Sequence, residues 1–137
     1  MKSEKELLEL AEKYSWNYIS FYENLSKQFI EKYQDKVNWG IISFFQKLSE
    51  KFIEKFQEKV NWCWISGRQN LSEVFIENFK DRVDWWSISA YQKISEEFVL
   101  NNFSKINLKE LKQNKHFDFK NIKNTELKLL LDLRGEV

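Results

Sequence analysis

The chain has 137 residues and a net charge of +1, which excludes both an acidic DNA mimic and a strongly basic nucleic-acid coat. Hydrophobic residues at 42% and charged residues at 31% fit one soluble domain, whereas aromatic residues at 17% are in excess, and most of them belong to a repeat. A single cysteine, Cys63, excludes an internal disulfide framework and fits a reducing compartment.

The first stretch, MKSEKELLELAEK, has too many acids and too short an apolar run for a signal peptide. No run of about 18 apolar residues exists to span a membrane, so a cytoplasmic location is expected. Proline is absent and glycine is rare, which leaves no flexible linker.

Residues 3–13 read as a helix. Ser3 is placed to cap it, and Glu6 completes a capping box. Leu7, Leu10 and Tyr14 form its apolar side. Shifted by 23, Ser3 falls on Ser26, Leu7 on Ile30, Leu10 on Tyr33 and Tyr14 on Val37. Residues 1–14 are therefore the second half of a repeat, expected to cover the end of a stack.

Four full copies follow in 15–106. The clearest is NWGIISFFQKLSEKFIEKFQEKV, Asn38 to Val60, and the tryptophans Trp16, Trp39, Trp62 and Trp85 lie 23 residues apart. A fixed period of this size is the mark of a repeat array. Each copy reads as two short helices. The first opens at Ser15, Asn38, Asn61 or Asp84 and the second at Ser26, Ser49, Ser72 or Ser95, all residue types that accept a bond from a free backbone N–H. Trp39, Ile42, Ser43 and Gln46 share one helical face, and so do Phe52, Ile53, Phe56 and Val60. Leu48 with Ile53 and Val37 with Ile42 have hydrophobic-staple spacing. Strands would need period-2 alternation, which is missing.

The spacing predicts helices over 3–13, 16–23, 27–36, 39–46, 50–59, 62–69, 73–82, 85–92 and 96–103. On the second helices, Glu50, Glu54 and Glu58 form an acidic stripe beside Lys51, Lys55 and Lys59. The basic stripe of one copy is expected to face the acidic stripe of the next. The fourth copy decays at Leu100, Asn101 and Asn102; a worn fifth begins at Asn107, with Leu108 and Leu111. Residues 115–122 read as a short extended segment. Thr125 and Glu126 then open a closing helix ended by Gly135. The expected fold is all-α: helix-turn-helix repeats of period 23 stacked as an α-solenoid, one domain over 1–137 with caps at 1–14 and 107–137.

The phrase W-x-x-I-S-x-x-Q-x-L-S-x-x-F-I, carried by residues 15–106, resembles tandem repeats in proteins of giant DNA viruses, phages and AT-rich bacteria. The resemblance implies a helical array and a viral or mobile-element setting, and carries no activity with it. The small size is also similar to that of phage-encoded inhibitors of host defence.

Catalytic groups are sparse. His116 has no second histidine or cysteine near it, and Cys63 has no histidine or asparagine partner in a nucleophile motif. There is no glycine-rich phosphate loop, and the ligands for zinc are missing. No enzyme, cofactor or metal is expected. Ser20, Ser43, Ser66 and Ser89, with Gln46, Gln69 and Gln92, form a polar ladder expected to satisfy backbone groups rather than to grip a partner.

The positions that vary between copies carry the functional signal: Tyr18, Phe21 and Tyr22; Ile41, Phe44 and Phe45; Trp64 and Arg68; Trp86 and Tyr91. These residue types are enriched in binding hot spots, and a core repeated four times should vary less. They form either a partner face or a second core layer. The expected function is a protein–protein interaction module, extending to an anti-CRISPR-like inhibitor that occludes a host defence nuclease. An RNA- or single-strand-binding protein and a self-assembling structural repeat are the alternatives.

Overall fold

The computed structural model describes residues 1–136; Val137, the last residue of the expected C-terminal cap, lies outside the described residues. Among the described residues the chain is all-helical, with no strand. The helices are α1 (Glu4–Lys13), α2 (Trp16–Tyr22), α3 (Lys27–Lys32), α4 (Trp39–Phe45), α5 (Glu50–Lys55), α6 (Trp62–Arg68), α7 (Glu73–Asn78), α8 (Trp85–Tyr91), α9 (Glu96–Asn101), α10 (Leu108–Gln113) and α11 (Thr125–Leu133), with one 3-10 turn at Phe119–Asn121. Two compact units result. One runs from Met1 to Gln69 and the other begins at Asn70, so the boundary falls between the two helices of the third copy.

In the first unit α1 packs on α2, α2 on α4 and α4 on α6. The first helices of successive copies therefore stand side by side. In the second unit α8 packs on α10 and α9 on α11.

Helices of six or seven residues are unstable alone, so their ends must be held. Each of the eleven begins at a Ser, Asn or Asp whose side chain accepts a backbone N–H three residues on, from Ser3 to Asn124. Such a cap contributes about 1 kcal/mol. Ser3 and Glu6 form the expected capping box. At the other end of the chain, Gly135 takes φ +69, the Glu136 N–H bonds to the Leu131 carbonyl and the Gly135 N–H to that of Asp132. This pair of bonds is a Schellman closure, and the positive φ is what calls for glycine.

The second helices are shorter than the spacing predicts. Helix α3 ends at Lys32 rather than at residue 36 because Tyr33 leaves the α region, at φ −111 and ψ 30. Phe56, Phe79 and Asn102 leave it in the same way. A separate turn follows, in which Val37 N–H bonds the Tyr33 carbonyl at 3.1 Å; Val60, Val83 and Ile106 repeat the bond. The break frees a carbonyl for the next tryptophan. The indole N–H of Trp39 donates to Gln34 at 2.8 Å, that of Trp62 to Gln57 at 3.0 Å and that of Trp85 to Lys80 at 3.0 Å. Residues 115–122 are also not extended: a turn bonds Phe117 N–H to the Asn114 carbonyl, and the 3-10 turn follows.

Each unit is built on buried isoleucines. Ile19, Ile42, Ile65 and Ile88 are wholly buried, as are Ile53, Ile76 and Val99. The repeated tryptophans are not core residues of this kind. Trp16, Trp39, Trp62 and Trp85 are half-buried. Trp39 leans on Phe52 and Phe56 of its own copy, and Trp16 and Trp85 make the matching contacts to Phe29 and Phe98. Their recurrence reflects that packing and the indole hydrogen bond.

In chemical denaturation, Ile42→Ala should therefore cost about 2–5 kcal/mol. Trp39→Ala should cost less, about 1–3 kcal/mol, because part of its ring is already in water. A larger loss at Trp39 than at Ile42 would contradict this assignment of the core.

Candidate functional site

The Ser and Gln ladder is consumed by the fold. Ser20 donates to the Trp16 carbonyl at 2.7 Å and accepts the N–H of Asn38 at 3.2 Å, in the next copy. Ser43 bonds Trp39 and Asn61 in the same way, and Ser89 bonds Trp85 and Asn107. The Gln46 amide reaches back one copy, donating to the carbonyls of Ser20 at 3.1 Å and Glu23 at 2.8 Å while its oxygen accepts the Leu25 N–H at 3.2 Å. Gln69 does the same to Ser43, Gln46 and Leu48. These groups are buried and committed to backbone, leaving nothing with which to hold a ligand.

The charged stripes are also spent between copies. Lys55 pairs with Glu31, Lys59 with Asp35 at 2.8 Å and Lys32 with Glu4 at 2.6 Å, so opposite charges of neighbouring copies meet, but the lysines reach the acids of the copy before rather than those of the next. In the second unit, Glu73 accepts the Ser95 N–H and Glu77 the Asn102 amide. Exposed pairs of this kind set register more than stability. Hydrogen bonds from Lys32 and Tyr33 hold the Glu4 carboxyl below the usual carboxylate range, and the same carboxylate raises Lys32 and Tyr33.

What remains is a run of aromatic rings on α2, α4 and α6. Tyr14 stacks on Tyr18 at 4.6 Å, and Tyr18 meets Tyr22 at 4.8 Å. Tyr22 touches Phe21, and Phe21 crosses to Phe45 of the next copy at 4.2 Å. Phe45 touches Phe44, which receives the edge of Trp64 at 4.6 Å from the copy after that. The Arg68 guanidinium lies 3.9 Å over the Phe44 ring, and the Lys13 ammonium 5.0 Å over that of Tyr14. Tyr14, Phe21, Tyr22, Phe45 and Trp64 are 42–67% exposed, and Tyr18 and Phe44 are half-buried.

Seven of the ten variable residues singled out from the sequence thus join one continuous ribbon on the first unit. Trp86 and Tyr91 form their own exposed pair on α8, rings 5.9 Å apart, in the second unit. Ile41 is half-buried. Two members were missed, Tyr14 and Lys13. The sequence sets Tyr14 on the apolar side of α1, but it caps the end of that helix, and the extended Ser15 that follows turns it toward Tyr18 of α2.

Among the described residues no group of three potential metal ligands comes together. His116 and Cys63 are both exposed. No family model, no curated protein and no solved structure matches the chain.

Two outcomes follow. Gln46→Ala strands two carbonyls and an N–H in a buried place and should cost about 3 kcal/mol or more, measured by denaturant unfolding. For Glu4, the folded carboxyl is depressed, so the stability it adds is present above the unfolded value near 4.5 and is lost as the pH falls through the folded value. Hydrogen exchange at α1 should rise on acidification across that window, and Glu4→Gln should reduce this dependence, leaving the part due to Glu6, whose carboxyl is likewise held down by the Ser3 N–H and hydroxyl.

Proposed function

We propose that this chain is a non-enzymatic protein-binding module and that the aromatic ribbon of its first unit is the binding face. The observation that carries the reading is the run of touching rings with five members in water. Monomeric proteins rarely expose contiguous apolar patches of this kind without using them, and Tyr, Trp and Arg dominate interface hot spots. The rings already lean on one another, so little side-chain entropy is left to lose on docking.

Charge placement separates this reading from nucleic-acid binding. Within α2, α4 and α6 the only charged residue is Arg68. A single-strand groove needs cations along the backbone path and open ring faces for bases. Here one face of Phe44 is covered by Arg68, and Lys32, Lys55 and Lys59 on the side of the second helices are paired with acids. No helix among the described residues is long and apolar enough to cross a membrane. In the viral or phage setting implied by the resemblance of its repeat, the module acts in the host cytoplasm by occluding a host protein, a defence nuclease being the model case.

The test compares the parent with Phe21→Ser, Phe45→Ser and Trp64→Ser as bait in a host lysate, followed by affinity measurement for each protein lost. Each change should cost at least about 2 kcal/mol of binding. Thermal stability should fall by less than about 1 kcal/mol, since the rings are exposed. Affinity should vary little with salt, against the steep decline of a phosphate-binding surface. A partner retained at full affinity by all three variants would remove the ribbon from the interface.

A further inference from the structure

The ribbon's polar groups are of one kind. Tyr14, Tyr18 and Tyr22 carry hydroxyls, Trp64 an indole N–H, Arg68 a guanidinium and Lys13 an ammonium. Among the described residues none of these groups has a hydrogen-bond or ion-pair partner, in contrast to Trp39, Trp62 and Trp85, whose indoles bond to carbonyls. Helices α2, α4 and α6 contain no acid. Of the acids adjoining the ribbon in sequence, Glu23 is taken up by Lys2 at 2.7 Å, and Glu12 is an exposed residue directly before Lys13. The ribbon thus offers donors and fixed positive charge, with a cation over the ring at each end and apolar surface between.

We infer that the ribbon takes an apolar protein segment bearing carboxylates, one meeting Arg68 at the α6 end and another meeting Lys13 and the tyrosine hydroxyls at the α2 end. The inference rests on the ribbon being the binding face. Guanidinium and carboxylate match edge to edge, and a guanidinium laid flat on Phe44 keeps its in-plane N–H groups free while losing rotational freedom. Carboxylates are acceptors only, so they satisfy donors that the fold leaves open. A lysine-bearing segment would bring like charge to both ends and leave the donors unmet. A phosphate backbone fits the same donors but needs cations along its path, and between the two ends there are none within these helices.

Three labelled peptides sharing one pattern of leucine and phenylalanine, with glutamate, glutamine or lysine at the remaining positions, test this by fluorescence polarisation on the full chain. The glutamate peptide should bind about tenfold or more tightly than the glutamine peptide, and the lysine peptide most weakly. Arg68→Glu combined with Lys13→Glu should invert the order, with the chain still folded because both side chains are exposed; Arg68→Gln should narrow the gap between the glutamate and glutamine peptides, and Arg68→Gln with Lys13→Gln should close it. Equal binding of all three, no binding by any, an order that survives the charge reversal, or tighter binding of oligothymidylate would each overturn the inference, as would sedimentation showing a dimer that Phe45→Ser and Trp64→Ser dissolve. Those two variants also separate this inference from the reading beneath it. Charge-blind peptide binding that they abolish leaves the ribbon as the face and removes only the acidic partner; binding that they do not touch removes both.

Discussion

The structure depends on a buried carboxamide that makes its bonds to the copy before it. A helix six or seven residues long leaves most of its terminal carbonyls without partners, and burying them unpaired is costly. Gln46 and Gln69 resolve this by bonding two carbonyls and one N–H at the end of the preceding first helix. The serine one turn earlier ties the same helix to the next cap. Hydrophobic contact alone would let short helices slide past one another. The amides admit one offset, and the fixed period of the chain is the imprint of that offset.

This arrangement sorts the surface. On the second helices the charges cross-link neighbouring copies, so their identity is tied to the copy before or after. On the first helices the inward face is held by isoleucine, serine and glutamine, and the outward face has no part in the stapling. Phe44, Phe45, Trp64 and Arg68 occupy that outward face and differ from copy to copy. Variation there costs the fold little, which is why the same positions can be shaped for a partner.

Much of the architecture was legible because it is local. Caps at Ser26, Asn38 or Ser49 depend on a few adjacent residues, and the period exposes itself by repetition. The early ends of the second helices were not legible, since Tyr33 and Phe56 are compatible with continued helix and the turns that replace its last residues deliver carbonyls to the next indoles. Repetition of tryptophan was misleading for a related reason. A residue can recur because its polar atom is needed in one place while its ring stays half in water. At the candidate site the membership of the ribbon was visible in the variable positions, but its continuity was not. Contacts such as Phe21 with Phe45 lie between copies, and only the offset set by the amides brings them together.

The fifth copy shows how such a chain stops. Asn114 caps the end of α10 as the glutamines cap theirs, though one residue earlier in the repeat, and its amide still reaches the carbonyls of Ser89 and Gln92. Being one methylene shorter, it turns its oxygen to its own chain and accepts the N–H of His116 at 2.8 Å, where Gln92 accepts that of Leu71 one copy back. The last link is tied by two strings instead of three, and the spare acceptor folds the backbone aside into the 3-10 turn. An amide set one residue early and one carbon short thus works as punctuation: it turns back on its own chain where the glutamines reach across to the copy before.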